Sequence, residues 1–231
     1  MKILGLDSSG LVAGVAVMED DVLLAEYVTD FKKTHSQTLL PMLDELRNMI
    51  ELDMDTLDAV AVASGPGSFT GLRIGSATAK GLGKPIVEVP TLEGLAWNLW
   101  GTDRLVCPLM DARRNQVYAA AYEFCPAGEG FQLQKVIGQK PIDIVELTVE
   151  LNRLGREVIF LGDGVPVYLS VIKEHMKVPF RLAPAGCNRQ RAANVAALGA
   201  VYYAQGKVVA AAEHQPEYLR KSQAERESAS E

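Results

Sequence analysis

Histidine and cysteine are scarce in this chain, three of each among 231 residues. None of His35, His175 and His214 stands four residues from another, and Cys107, Cys125 and Cys187 form no Cys-x-x-Cys pair. Zinc-finger, dithiol and His-Glu-x-x-His chemistry thus lack their ligands, and no metal site is expected. An odd number of scattered cysteines suits reduced thiols in a cytoplasmic protein. Positive charge is not in excess: 23 lysines and arginines face 29 acidic residues, for a net charge of −6. That balance argues against a protein that holds nucleic acid by overall charge. No apolar run approaches the ~18 residues that span a bilayer, and the chain enters a strand directly without a signal-peptide layout, so no membrane partner is expected.

The familiar phosphate-binding signatures are also missing. The most telling stretch is Ser64-Gly65-Pro66-Gly67-Ser68-Phe69-Thr70-Gly71-Leu72-Arg73-Ile74-Gly75, between a strand-like run at 57–63 and a helix-like one. It lacks the Gly-Lys-Ser/Thr end of a Walker loop, has Thr70 where a Rossmann fingerprint needs glycine, and is not a Gly-x-Ser-x-Gly elbow. What it does contain is a tight turn in which Ser68 or Thr70 can accept bonds from the free amides opening a helix. Such amides suit an anion or a backbone carbonyl, or the stretch is a plain strand-to-helix turn.

With 48% hydrophobic and 23% charged residues, the chain has the composition of a globular protein able to bury two compact lobes. Strands are predicted at 2–7, 12–18, 22–29, 58–63 and 86–89, with helices over 35–52 and 69–83. A second series follows: strands at 105–110, 116–124, 131–136 and 157–161, helices at 143–154 and 165–176, and a closing alanine-rich helix at about 189–205. The order implies an α/β protein of two lobes, 1–104 and 105–231, each a mixed sheet with packed helices. The polar tail from Arg220 is expected to fray.

In the first helix Leu39, Leu43, Leu46 and Ile50 form one stripe, flanked by Met42 and Met49 on one side and Leu40 on the other. The arc is wider than the ~100° of a singly buried face. In the second, Gly71, Gly75 and Ala79 recur every four residues and would admit another helix closely. Together with Ile74 and Thr78, these residues read as a protein interface, methionine being suited to adaptable contact. Packing within the lobe is the other reading.

Asp7 ends the first strand. With the Ser8-Ser9-Gly10 turn it could position a metal-bound nucleotide, or it could satisfy the turn that follows. Gly162-Asp163-Gly164 has the same two readings. Arg73, Lys80 and Lys84 share a helix face, and Arg113-Arg114 and Arg189/Arg191 are further basic pairs able to touch phosphates or water.

Five motifs then combine. Ile3-Leu4-Gly5-Leu6-Asp7-Ser8-Ser9, Thr34-His35-Ser36-Gln37-x-Leu39-Leu40-Pro41, the Ser64–Gly75 loop, Met110-Asp111-Ala112-Arg113-Arg114-Asn115-Gln116-Val117-Tyr118 and Pro216-Glu217-Tyr218-Leu219-Arg220 together resemble the TsaB (YeaZ) family, related to the so-called M22 glycoproteases. The resemblance covers nearly the whole chain. It implies an actin-like (ASKHA) fold, shared with sugar kinases, and a part in forming threonylcarbamoyladenosine beside the tRNA anticodon. Its expected partners are the catalytic paralogue TsaD and the ATPase TsaE, with a homodimer when alone and tRNA reached indirectly through the complex. Where TsaD proteins carry a metal-binding His-x-x-x-His pair, motif alignment places Thr91 and Leu95, so a non-catalytic subunit is expected. In the family, association runs through the first two helices, in line with the surface inferred above. No firmly bound cofactor is expected, ATP or ADP with magnesium being conceivable at the complex interface. The rival is an autonomous ATPase or phosphotransferase using Asp7, Ser8, Ser9 and Gly162-Asp163-Gly164.

Overall fold

The computed structural model describes residues 1–31 and 34–219. The expected fraying from Arg220 lies outside the described residues. The first sheet contains β1 (Lys2–Asp7), β2 (Ala13–Glu19), β3 (Val22–Thr29), β4 (Ala59–Gly65) and β5 (Ile86–Pro90) in the order β3-β2-β1-β4-β5. The second contains β6 (Leu105–Asp111), β7 (Gln116–Ala127), β8 (Gly130–Asp143), β9 (Val158–Leu161) and β10 (Phe180–Leu182) in the order β10-β9-β6-β7-β8. Read from β8, the second order repeats the first strand for strand. In both sheets the first strand pairs antiparallel with the second and parallel with the fourth.

Helices occupy matching places. α1 (His35–Met49) and α2 (Phe69–Gly81) flank β4, while α4 (Ile144–Leu154) and α5 (Gly164–His175) flank β9. α3 (Thr91–Ala96) follows the first sheet in the chain but packs on β6 and β7 of the second as well as on β4 and β5. α6 (Ala192–Ala204) follows the second sheet yet covers β1, β2 and β4 of the first. The lobes are thereby interlocked in the doubled, actin-like mixed α/β arrangement that the family resemblance implies. Small residues make the α6 contact possible: a Cβ on Gly199 would stand 2.4 Å from that of Ala61, and one on Gly5 2.3 Å from the Ala192 carbonyl.

α1 buries its stripe on the first sheet. Leu39 and Leu46 are wholly inaccessible and pack with Leu4, Leu6, Val15 and Val62, each such leucine contributing ~2 kcal/mol by leaving water. The helix stops at Met49, short of the expected Leu52, because Glu51 turns into a left-handed conformation at φ 51° and Leu52 folds back to donate to the Arg47 carbonyl. β8 runs well past the expected 136, since its half-buried edge position does not demand a regular apolar alternation. Three-residue β10 is too short to leave a pattern. Among the described residues, no helix is long and apolar enough to cross a membrane.

Candidate functional site

The Asp7-Ser8-Ser9-Gly10 turn lies at the C-terminal end of β1. The Asp7 carboxylate is buried and accepts both the Ser9 amide, at 2.9 Å, and the Ser9 hydroxyl, at 2.6 Å. Burial pushes its pKa up to about 6, with the two Ser9 bonds pulling the other way. Asp7 thus holds the turn that follows it.

The same turn is pressed against α2. Ser8 donates its hydroxyl to the Gly71 carbonyl at 2.9 Å, and the Ser9 carbonyl accepts from the Ser68 amide at 2.7 Å. Ser68 also caps α2 by accepting from the Gly71 amide. A Cβ on Gly71 would stand 2.0 Å from the Ser8 carbonyl oxygen, and one on Gly75 2.6 Å from the Ser8 hydroxyl oxygen. The glycine series thus admits the protein's own turn, which corrects the expectation that it admits another helix. His35, at the start of α1, completes the seal with Nε2 2.8 Å from the Gly10 carbonyl oxygen.

A C-terminal segment covers the glycine loop from outside. The Glu217 amide donates to the Ser64 carbonyl at 2.7 Å, and the rings of Phe69 and Tyr218 lie 4.7 Å apart. The Arg73 guanidinium sits 3.9 Å above Phe69, and its Nε donates to the Tyr218 hydroxyl. Four of the five motifs therefore meet in one assembly. Of the amides expected for a ligand or partner backbone, that of Ser68 is engaged by the Ser9 carbonyl and that of Gly71 by the Ser68 hydroxyl.

The second lobe supplies a different arrangement. Gly162 bends the chain at φ 107°, its amide donating to the Asn188 carbonyl, and Gly164 opens α5 against Leu109. Asp163 accepts from the Asp111 amide at 3.3 Å, and burial raises its pKa above the ordinary carboxylate value. Arg189 spans the lobes, donating to the Gly162 carbonyl and to the Asp30 carboxylate. Arg191 pairs with Glu26. Between these arginines Gln190 is 1% exposed, its amide without a hydrogen-bond partner among the described residues, and it packs on Gly10. A cavity of about 540 Å³ opens beside it, lined by Glu26, Asp30, Arg189 and Arg191. All six residues considered for nucleotide contact are thus engaged by packing or hydrogen bonds within the chain.

The β6–β7 turn presents Arg113, Arg114 and Asn115 to solvent, with φ of 62°, 56° and 59°. Asp111 anchors its base by accepting the Arg113 amide at 2.8 Å and the Tyr168 hydroxyl at 3.0 Å. Burial, followed by the Asp111 contact, pushes the Tyr168 pKa up to about 12.

The expected interface residues divide. Leu39, Leu43, Leu46, Gly71, Gly75, Thr78 and Ala79 are buried in the chain by itself, Leu43 and Thr78 keeping 6% and 8% of their surface exposed. Met42 and Ile74 are half-buried against the same core. Met49 is 66% and Leu40 58% exposed, and these remain as apolar surface on α1. At the start of α3, Thr91 accepts from the Gly65 amide at 3.2 Å, and Leu95 is buried. Neither Gln190 nor the Arg189–Asp30 link was visible in sequence, because their partners lie far away in the chain and no local pattern marks them.

A family model described as TsaD, tRNA N6-adenosine threonylcarbamoyltransferase, matches residues 23–228. The chain is 33% identical over 232 residues to the tRNA threonylcarbamoyladenosine biosynthesis protein TsaB of Bacillus subtilis, covering 97% of this chain and 96% of that one. To the TsaB protein of Escherichia coli it is 29% identical, over 95% of each chain. Among solved structures, YeaZ from Pseudomonas aeruginosa superposes with a TM-score of 0.79 at 26% identity, over 94% of this chain and 99% of the other.

Proposed function

Since this chain belongs to the TsaB (YeaZ) family of tRNA threonylcarbamoyladenosine biosynthesis proteins, we propose that it serves that modification as a non-catalytic subunit which binds and activates a TsaD paralogue. The observation that carries this reading is the sealed β1–β2 turn. An actin-fold phosphotransferase needs the turn after β1 open to phosphates, and here the Ser8 hydroxyl is bonded to Gly71, the Ser9 carbonyl to the Ser68 amide and the Ser9 hydroxyl to Asp7, while Gln190 lies on Gly10. Thr91 and Leu95, aligned with the paralogue's histidine pair, are a hydroxyl committed to Gly65 and a buried hydrocarbon, neither able to supply an imidazole ligand.

The partner surface of the proposal is the outer side of α1 and α2, centred on the flank of α1 that carries Met42 and Met49, with Ile74 and Arg73 from α2. The same surface would serve a homodimer when the chain is alone, so the two assemblies would compete. The ATPase TsaE joins the complex and tRNA is reached through it, in the cytoplasm, with any ATP or ADP and magnesium held at the subunit junction.

Threonylcarbamoyl transfer to tRNA by the host's TsaD and TsaE, with and without this protein, tests the reading. Transfer that depends on it, with no ATP turnover by the chain alone, is the expected result; full transfer in its absence overturns it. Met49→Asp, on an exposed position that leaves the core intact, should abolish co-elution with TsaD without changing the melting temperature of the free chain. Unchanged co-elution would move the interface elsewhere.

A further inference from the structure

On the face of the lobe junction away from the sealed turn, α3, β7, β8 and α6 enclose a second cavity of about 410 Å³. Its walls are aromatic: Trp97, Phe131 and the ring of Tyr202 line it, with Trp100 holding Phe131 edge-on at 5.0 Å between centroids. Gln132 and Gln205 lie on its more exposed side, and two buried polar side chains line its inner wall. Glu93 is 8% exposed, and its carboxylate accepts the Tyr202 hydroxyl and lies 3.6 Å from Lys135 Nζ. Tyr122 is 1% exposed, and its hydroxyl has no hydrogen-bond partner among the described residues.

A buried hydroxyl left without a partner costs roughly 1–3 kcal/mol, so its presence in the wall of a cavity calls for an occupant. Burial, and then the nearby Glu93 carboxylate, drive the Tyr122 pKa far above the ordinary phenol value. It is a neutral donor at any physiological pH. The inner wall therefore offers one acceptor, Glu93, one donor, Tyr122, and flat aromatic faces. At the mouth stand two exposed cations, Lys135 and Lys207, the latter 4.4 Å above the Tyr202 ring.

We propose that this cavity binds a nucleobase bearing an amino group beside a ring nitrogen, of the adenine or cytosine type. The amino group donates to Glu93, the ring nitrogen accepts from Tyr122, and the base packs among Trp97, Phe131 and Tyr202. Lys135 and Lys207 are placed to meet a phosphate outside. Uracil has no amino group to offer Glu93, and guanine presents on its Watson–Crick edge two adjacent donors where Tyr122 requires an acceptor. The base can come from a free nucleotide or from an unstacked residue of single-stranded RNA, since aromatic stacking and edge recognition are common to both.

The test uses the full chain with Trp100→Phe, which leaves Trp97 as the single tryptophan reporter. Titration with AMP, CMP, UMP and short oligoadenylate should quench Trp97, with UMP at least about tenfold weaker than AMP. Tyr122→Phe should weaken AMP about tenfold, the loss of one hydrogen bond, while raising the melting temperature of the free protein, because the burial cost of the unpaired hydroxyl is relieved. Glu93→Gln provides a second variant that retains an acceptor for Tyr202 and should weaken AMP similarly. Binding of oligoadenylate alone, lost in Tyr122→Phe, would assign the base to RNA; binding of AMP would assign it to a free nucleotide. No quench by either probe, equal affinity for UMP, or affinity unaltered by Tyr122→Phe would overturn the proposal.

Discussion

The β1–β2 and β6–β7 turns occupy the same place in two sheets of identical order, yet one is sealed and the other stands open to water. In the first, Ser8, Ser9 and Gly10 are small enough for α2 to close on them, and Gly71 and Gly75 remove the side chains that would prevent it. In the second, the turn is Arg113, Arg114 and Asn115, and the helix facing its base carries Tyr168 rather than glycine. Tyr168 grips Asp111 and leaves the residues beyond it exposed. Topology therefore fixes where a turn lies, while two or three side-chain volumes decide whether it becomes core or surface. In the first lobe those volumes bring α2 directly onto the turn.

The largest expected effect is at Gly71. Its neighbour is a backbone carbonyl, which has no rotamer with which to yield, so Gly71→Ala must displace either α2 or the turn. We expect a loss of about 3 kcal/mol in urea unfolding, at the upper end of overpacking costs. A variant within 0.5 kcal/mol of the parent, roughly the noise of a surface change, would break the description of the turn as sealed.

Asp7 sharpens the same contrast through pH. Its folded pKa of about 6 lies above the unfolded value of 3.8, so the folded protein binds the proton more tightly. This contribution is fully present below about pH 4 and is lost as pH rises through 6, amounting to about 2–3 kcal/mol at 1.36 kcal/mol per unit. Stability measured at intervals from pH 4 to 8 should carry that fall in the parent and lack it in Asp7→Asn, whose side-chain oxygen can still accept from Ser9. Identical profiles would mean that Asp7 is not desolvated.

Periodicity in the sequence revealed nearly all the strands and helices and their recurring order, and the loop composition offered Ser68 or Thr70 as the cap of α2, since each is set by neighbours within a few residues. It also revealed that α1 has a leucine stripe and α2 a glycine series. What it could not reveal was the object of each contact. Leu39, Leu43 and Leu46 face their own sheet, and Gly71 faces a turn sixty-three residues earlier, because Ser8 and Gly71 meet only once β1 pairs with β4. The wide apolar arc of α1 thus resolves into core plus two exposed positions, Leu40 and Met49. Gln190 and Tyr122 are unreadable for the same reason: an amide or hydroxyl lacking a partner is a property of packing, and composition carries no trace of it.

The smallest expected effect belongs to the open turn, and it has the opposite sign. Arg114 is held at φ 56°, a left-handed conformation that costs a residue with a Cβ roughly 1–2 kcal/mol. Glycine relieves that cost but adds unfolded-state entropy worth about 0.5–1 kcal/mol. Arg114→Gly should therefore stabilise the protein by about 0.5 kcal/mol. Asn115, at φ 59°, is of a type that tolerates this region, so Asn115→Gly should gain nothing. The pair, compared by urea midpoint at one pH, separates strain from simple loss of a side chain. Destabilisation by Arg114→Gly would mean that its side chain makes contacts worth more than the strain, and the second turn would then be packed as firmly as the first.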